Sequence, residues 1–214
     1  MDIPAMRLFS SFLAIPVSLL LLSPLMSAGE QVTRSLSVQS GPVNSAVIQM
    51  DNARLAIYGI HGDDDPRVEQ VLLTHHRRDV AWAARLAVEK GATAVAPAAE
   101  SELLADPVAF WNAFTQNRFH DYGQQSTKIL ASPLKVERWV KQGDTVNWRG
   151  LQFQVLDTPG YTRGSISYLA ELDGKKIAFT GDLIYGDGQL VDLYSFQDEI
   201  PDAQVRGYHG YGGR

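Results

Sequence analysis

An α/β fold is what this sequence predicts, on two observations. Through the first half, apolar runs of strand length alternate with a helix-like stretch. Through the second half, paired apolar runs flank tight-turn residues. The chain has 214 residues, 45% hydrophobic and 20% charged, which suits one soluble domain with a sizeable core.

The elements follow in order. Ordered structure is expected from about Val32. Leu36 and Val38 alternate within a short strand, and Gly41-Pro42 breaks it. Ser45 to Met50 and Leu55 to Ile60 flank Asp51-Asn52, a hairpin signal. His61 to Pro66 carries three carboxylates, but their spacing lacks the alternation of a calcium loop, so it reads as a solvated acidic turn. Val71 to Leu73 reads as a buried strand and Asp79 to Lys90 as a helix stopped by Gly91. Ala92 to Ala96 is the next strand, ended by Pro97, and Ala98 to Leu104 a short helix. Residues 106–125 are rich in aromatics. Phe110, Trp111 and Phe114 fit one helical face, which suits core packing; a lid lining a substrate pocket is the alternative. Val136 to Val140 is a strand. Thr145 to Trp148 and Leu151 to Leu156 flank Arg149-Gly150. Ile166 to Leu172 and Lys176 to Thr180 flank Asp173-Gly174, the strongest hairpin signal in the chain.

The termini carry their own signals. Arg7, the apolar run Leu8 to Met26 and the small residues Ser27-Ala28-Gly29 have the layout of a secretory signal peptide. Residues 1–28 are therefore expected to be a leader and 32–214 the exported domain, periplasmic or secreted. The rival is an uncleaved membrane anchor: the run approaches the ~20 residues that span a bilayer, though Pro16 and Pro24 interrupt it. The last residues, Gly212-Gly213-Arg214, are turn formers that cannot close a sheet, so the domain is expected to be short at its C-terminus.

Composition narrows the function. A net charge of −5 with only the short basic pairs Arg77-Arg78 and Lys175-Lys176 argues against nucleic-acid binding. The absence of cysteine excludes disulfides, thiolate zinc sites and a cysteine nucleophile. A small molecule is the expected partner, with no stable membrane contact after leader removal.

Three segments concentrate the chemistry: Thr74-His75-His76-Arg77-Arg78-Asp79-Val80, Asp157-Thr158-Pro159-Gly160-Tyr161-Thr162-Arg163-Gly164-Ser165, and Thr180-Gly181-Asp182-Leu183. Each follows an apolar strand and turns at its end, where open sheets collect ligands. Imidazole and carboxylate on a stiff strand-to-helix turn are donors for a borderline or hard divalent metal.

In this order, from about Val43 to Asp192, the segments resemble the metallo-β-lactamase fold superfamily. The resemblance implies a four-layer αββα sandwich with metals between the sheet edges. It also implies hydrolysis of an ester, thioester, amide or phosphoester by metal-activated water, the metal being zinc or another divalent ion. Carried over residue by residue, the match is partial. The family's His-x-His-x-Asp-His reads His75-His76-Arg77-Arg78-Asp79-Val80, so His75 and Asp79 match while Arg77 and Val80 replace histidines. Tyr161 replaces the histidine of T-P-G-His-T. Asp182 matches the aspartate that bridges the two metals. His209 is the candidate for the last family histidine, although it stands early for that role.

The resemblance thus implies His75, Asp79 and Asp182 as metal ligands, with Asp79 also catalytic. His76, Arg77, Tyr161, His120 and His209 are candidates for substrate contacts or support of the ligands. His76, next to His75 on an extended turn, is expected to point the other way, toward a supporting or surface role. Zinc wants about four ligands, and the fixed guanidinium of Arg77 repels a dication. Two readings therefore stand: a hydrolase working with one ion, and a non-catalytic descendant with no metal. A third, a partner-binding exported domain, fits the sequence less closely.

Overall fold

The computed structural model describes residues 29–59, 68–109, 131–186 and 188–190. Strands β1 (Glu30–Gln31), β2 (Leu36–Gln39), β3 (Ser45–Met50) and β4 (Ala53–Ile57) lie side by side and antiparallel. Strands β5 (Val68–Leu72), β6 (Thr93–Pro97) and β7 (Arg138–Val140) extend the same sheet in parallel from β4. Parallel neighbours need a crossover, and helix α1 (Arg78–Glu89) supplies it between β5 and β6. Its buried face is small: Val80, Ala81, Ala83, Ala84 and Ala87. That lets the helix lie close against the sheet. Gly59, at φ +139, passes so near that an added Cβ would collide with the Ala83 carbonyl.

The second sheet is antiparallel, in the order β11-β10-β9-β8. Its strands are β8 (Thr145–Trp148), β9 (Leu151–Asp157), β10 (Ile166–Leu172) and β11 (Lys175–Phe179). Both predicted hairpins form. Arg149 and Gly150 have φ of 47° and 85°, and Asp173 and Gly174 have 52° and 74°. Positive φ at both central residues is what a two-residue turn needs to match strand twist. Asp173 also ties the sheets together: its carboxylate accepts Ser35 N–H at 2.8 Å and the Thr33 hydroxyl at 2.7 Å. These bonds, the Thr33 hydroxyl foremost, hold its carboxyl below the usual range.

One apolar core spans both sheets, with Ile48, Leu55 and Leu72 from the first and Phe153, Ile166 and Tyr168 from the second. The buried Tyr168 hydroxyl donates to the Leu73 carbonyl at 2.9 Å, satisfying a polar atom inside that core. Two sheets sharing a core, with a helix against the first, give the α/β arrangement that the sequence predicts. A last small ribbon, β12 (Ile184–Tyr185) with β13 (Gln189–Leu190), follows a 3-10 turn at Gly181–Leu183.

Several boundaries differ from expectation. Among the described residues the first strand begins at Glu30, ahead of Val32, because Glu30 and Gln31 pair with Val38 and Ser37. The strand expected to reach Ile60 ends at Ile57. Tyr58 turns to φ +79 there, and Gly59 passes beneath α1. The strand expected at Val71 begins at Val68, paired with Arg54. The predicted short helix is a 3-10 turn (Ala98–Glu100) continued by helix α2 (Ser101–Ala105). The leader, the acidic loop with His61, most of the aromatic segment with His120, and the tail with His209 lie outside the described residues.

Two glycine substitutions test the helix-on-sheet contact. Gly59→Ala should cost about 2–4 kcal/mol, since the obstacle is helix backbone. Gly91→Ala, also at positive φ but with open space around its Cβ position, should cost only the backbone penalty of about 1–2 kcal/mol. Urea unfolding of both variants measures the gap, and equal losses would refute the close contact.

Candidate functional site

The three motif segments converge where the sheets meet. Past β5 the chain stays extended through Leu73, whose N–H donates to the Val95 carbonyl at 2.9 Å. The next residue, Thr74, is fully buried, and its carbonyl accepts Ile166 N–H from β10 at 2.9 Å. Its hydroxyl bonds the Tyr58 hydroxyl at 2.9 Å. Gly181 closes over this pair at φ +62, and an added Cβ would collide with both hydroxyl oxygens. Glycine is therefore the residue that lets Asp182 come so near.

His75 is the centre of the cluster, with a side chain only 1% exposed. Its Nε2 lies 2.9 Å from Asp182 Oδ2, and its Nδ1 lies 3.3 Å from the Arg77 backbone nitrogen. The backbone N–H can only donate, so Nδ1 accepts and the proton sits on Nε2, facing the carboxylate. The Tyr58 hydroxyl approaches Nε2 at 3.3 Å. Two rings flank the imidazole: Tyr58 with centroids 5.5 Å apart, and Tyr161 at 4.9 Å, both tilted.

Tyr161 is buried, and the Arg77 guanidinium sits over its ring, 5.4 Å from the centroid. This is cation–π geometry. Burial pushes the Tyr161 phenol up to about 12; Asp182 and Asp79 push the same way, and Arg77 offsets them only in part. The phenol therefore stays protonated at neutral pH. Asp79 is half-buried in the first turn of α1, where a carboxylate complements the helix dipole. Val80 points into the core at 1% exposure.

This donor set does not fit a zinc ion. His75 spends both ring nitrogens on the protein itself, Val80 belongs to the core, and Tyr161 is a neutral phenol. Arg77 adds fixed positive charge over the Tyr161 ring. Among the described residues no three His, Asp or Glu side chains converge as a metal would need. Asp79 is thus not brought together with His75 and Asp182 around one ion position. His61, His120 and His209 stand outside the described residues.

His76 does point away from His75, but into the protein and not toward its surface. It is buried against Glu100, with Nδ1 2.9 Å from Oε2 and both side chains 1% exposed. Burial pushes the Glu100 carboxyl up, but His76, His75 and the Thr162 hydroxyl outweigh it and hold the group below its usual range. Sequence reasoning missed Glu100 and Tyr58. Glu100 reads as one polar residue in a short helical run, and Tyr58 as one position of a strand, with no local signal of either contact.

The comparisons with known proteins agree with this architecture. The profile of the metallo-beta-lactamase superfamily matches residues 42–210. Among curated relatives, hydroxyacylglutathione hydrolase of Aeromonas hydrophila is 34% identical over 61 residues, 28% of this chain and 22% of that protein. Human acyl-coenzyme A thioesterase MBLAC2 is 34% identical over 111 residues, 52% of this chain and 32% of that protein. The matches thus span under a third of either relative. Among solved structures, the metallo-beta-lactamase family protein TTHA1429 from Thermus thermophilus superposes with a TM-score of 0.59 at 19% identity, covering 78% of this chain and 65% of that one. A Cronobacter sakazakii metallo-beta-lactamase described by its HARLDQ motif gives 0.53 at 19% identity, covering 79% and 68%. At these identities the structural likeness speaks for the fold. With a family profile over most of its length and two sheets meeting at the expected strand ends, this chain belongs to the metallo-beta-lactamase superfamily.

Proposed function

We propose that this protein is a hydrolase-like superfamily member whose described site holds no resident metal and serves to bind a ligand. One observation carries the reading: both ring nitrogens of His75 are engaged within the chain, Nε2 by Asp182 and Nδ1 by the Arg77 amide. For this imidazole to ligate a metal, it would have to give up one of these hydrogen bonds and, at Nε2, its proton, and metal-activated water is the family's nucleophile. The ligand class follows from Arg77, a planar cation at the partly exposed rim of the cluster beside the neutral phenol of Tyr161. Such a pair suits a carboxylate or a polarised carbonyl. One relative is named as an acyl-coenzyme A thioesterase and another as a hydroxyacylglutathione hydrolase, so an acyl thioester or its carboxylic product is the first ligand to try.

A second reading, hydrolysis with a single ion, has its own support. Written beside HARLDQ, the segment His75-His76-Arg77-Arg78-Asp79-Val80 shares His, Arg and Asp at the first, third and fifth places. A protein named as a metallo-beta-lactamase therefore tolerates Arg at this position. In this reading, His75, Asp79 and Asp182 hold the ion, and Asp79 acts in catalysis. The leader-like residues 1–28 support a location outside the cytoplasm for either activity, and N-terminal sequencing of protein from cell fractions should find a start near Gly29. A chain still beginning at its first residues in the membrane fraction would instead favour the anchor.

Elemental analysis separates the two readings. After loading at neutral pH and desalting, the mature chain should carry far less than one ion per molecule. Near-stoichiometric zinc, manganese or iron that disappears in Asp182→Ala would overturn the metal-free reading. The phenol gives an independent check. Its folded pKa of about 12 lies above the ordinary value of 10. The stability this represents is fully present below pH 10 and is lost as pH rises to about 12, to the extent of roughly 2–3 kcal/mol. Urea unfolding should show wild type losing that much relative to Tyr161→Phe across the window. Parallel curves would mean that Tyr161 is not held as a buried neutral phenol.

A further inference from the structure

Glu100 belongs to none of the three motif segments, yet it touches two of them. Its Oε2 faces His76 Nδ1 at 2.9 Å. Its Oε1 accepts the Thr162 hydroxyl and the Gly164 N–H, the latter at 3.1 Å. His76 directly follows His75, and Thr162 directly follows Tyr161. The two anchor points therefore sit one residue from the two rings that meet, tilted, with centroids 4.9 Å apart. We infer that Glu100 is the positioning residue of this site: it clamps the Tyr161–Ser165 loop to the His75–Arg77 segment and so sets the Tyr161 ring on the His75 imidazole.

Three features make this more than an incidental buried contact. The loop is shaped around the carboxylate, because Gly164 leaves no room for a Cβ against Glu100 Cγ. The loop's internal bonds do not aim it at His75. Ser165 Oγ accepts Thr162 N–H at 3.0 Å and lies 2.5 Å from Thr162 Oγ1. Thr162 has one hydroxyl proton and gives it to Glu100, so the Ser165 hydroxyl donates to Thr162 Oγ1. That leaves Glu100 as the external acceptor on which this chain of donors ends. Finally, an apolar side chain at 100 would strand the Thr162 hydroxyl and the Gly164 amide in a buried place, at a cost that favours moving the loop. The inference concerns how the two rings are held and does not depend on whether a metal binds.

Nuclear Overhauser contacts between the His75 and Tyr161 ring protons read the positioning directly. Wild type should show them. In Glu100→Ala they should vanish, with loss of the ring-current shift on the His75 protons. Glu100→Gln should retain them, since its amide oxygen still accepts from Thr162 and Gly164. Leu104→Ala, a cavity at a fully buried neighbour in α2, should lower the melting temperature and leave the contacts in place. This separates positioning from general destabilisation. Should Glu100→Ala not fold, Thr162→Val removes one donor at constant shape and should weaken the same contacts. A folded Glu100→Ala or Thr162→Val with wild-type contacts would overturn the inference, as would Leu104→Ala losing them equally.

Discussion

Thr74 is where the two sheets are made to meet, and the site depends on that junction. Its carbonyl takes an amide from the second sheet and its hydroxyl takes the phenol of Tyr58, while Gly181 packs against its side chain. Each contact is short because the residue has no exposure at all. A buried backbone carbonyl must find a donor, and here the donor is the first amide of β10. That bond, with the Tyr168 hydroxyl on the Leu73 carbonyl and Asp173 on Thr33 and Ser35, sets one sheet against the other. His75, one residue on, and Ile166, the end of the second motif loop, are thereby brought to the same place. Asp182 arrives because its neighbour is the one residue type that can pass the two hydroxyls.

The polar groups gathered at this junction are largely out of water, and an unsatisfied one costs about 1–3 kcal/mol. The chain engages several of them with its own groups. His75 donates to Asp182 and accepts from a backbone amide. Tyr161 carries Arg77 on its face, and His76 meets Glu100. In a metal centre the same imidazole and carboxylate would point their lone pairs at a shared cation. In this structure the two lie 2.9 Å apart, within hydrogen-bond distance. The strained backbone at Tyr58, with φ +79, fits this picture: positive φ in a bulky residue persists where the surroundings over-determine it, and its hydroxyl is held between Thr74 and His75.

What could be read in the sequence was local. Asp173-Gly174 and Arg149-Gly150 announced their hairpins because the backbone conformation of a two-residue turn is dictated by the turn residues themselves. The helix from Arg78 was legible through its small apolar face and Gly91. The motif segments were legible as strand ends, since apolar runs stop where they start. Glu100 was not, because its three partners stand 24, 62 and 64 residues away. Tyr58 was not, because the strand pattern runs straight through it, and the positive φ comes from the passage of Gly59 under α1. The direction in which His76 points was legible from strand alternation, but its burial was not, since that depends on what the fold places behind it.

Arg77 shows why the family's fold and its chemistry come apart. At an effective dielectric near 20, unit charges 4 Å apart interact by about 4 kcal/mol. The Arg77 guanidinium, 5.4 Å from the Tyr161 ring centroid, is a fixed positive charge, and it would oppose a dication by about twice that amount at the same separation. Position 77 is a partly exposed N-cap whose backbone amide donates to His75 Nδ1, while its side chain lies over the Tyr161 ring. The scaffold is held by Thr74, Gly181 and the core. Residues 77 and 161 shape what the strand ends present to a ligand, and the buried Tyr161 ring also packs against His75. The superfamily fold is present here with Arg77 and Tyr161 at two positions where the family motif carries histidines.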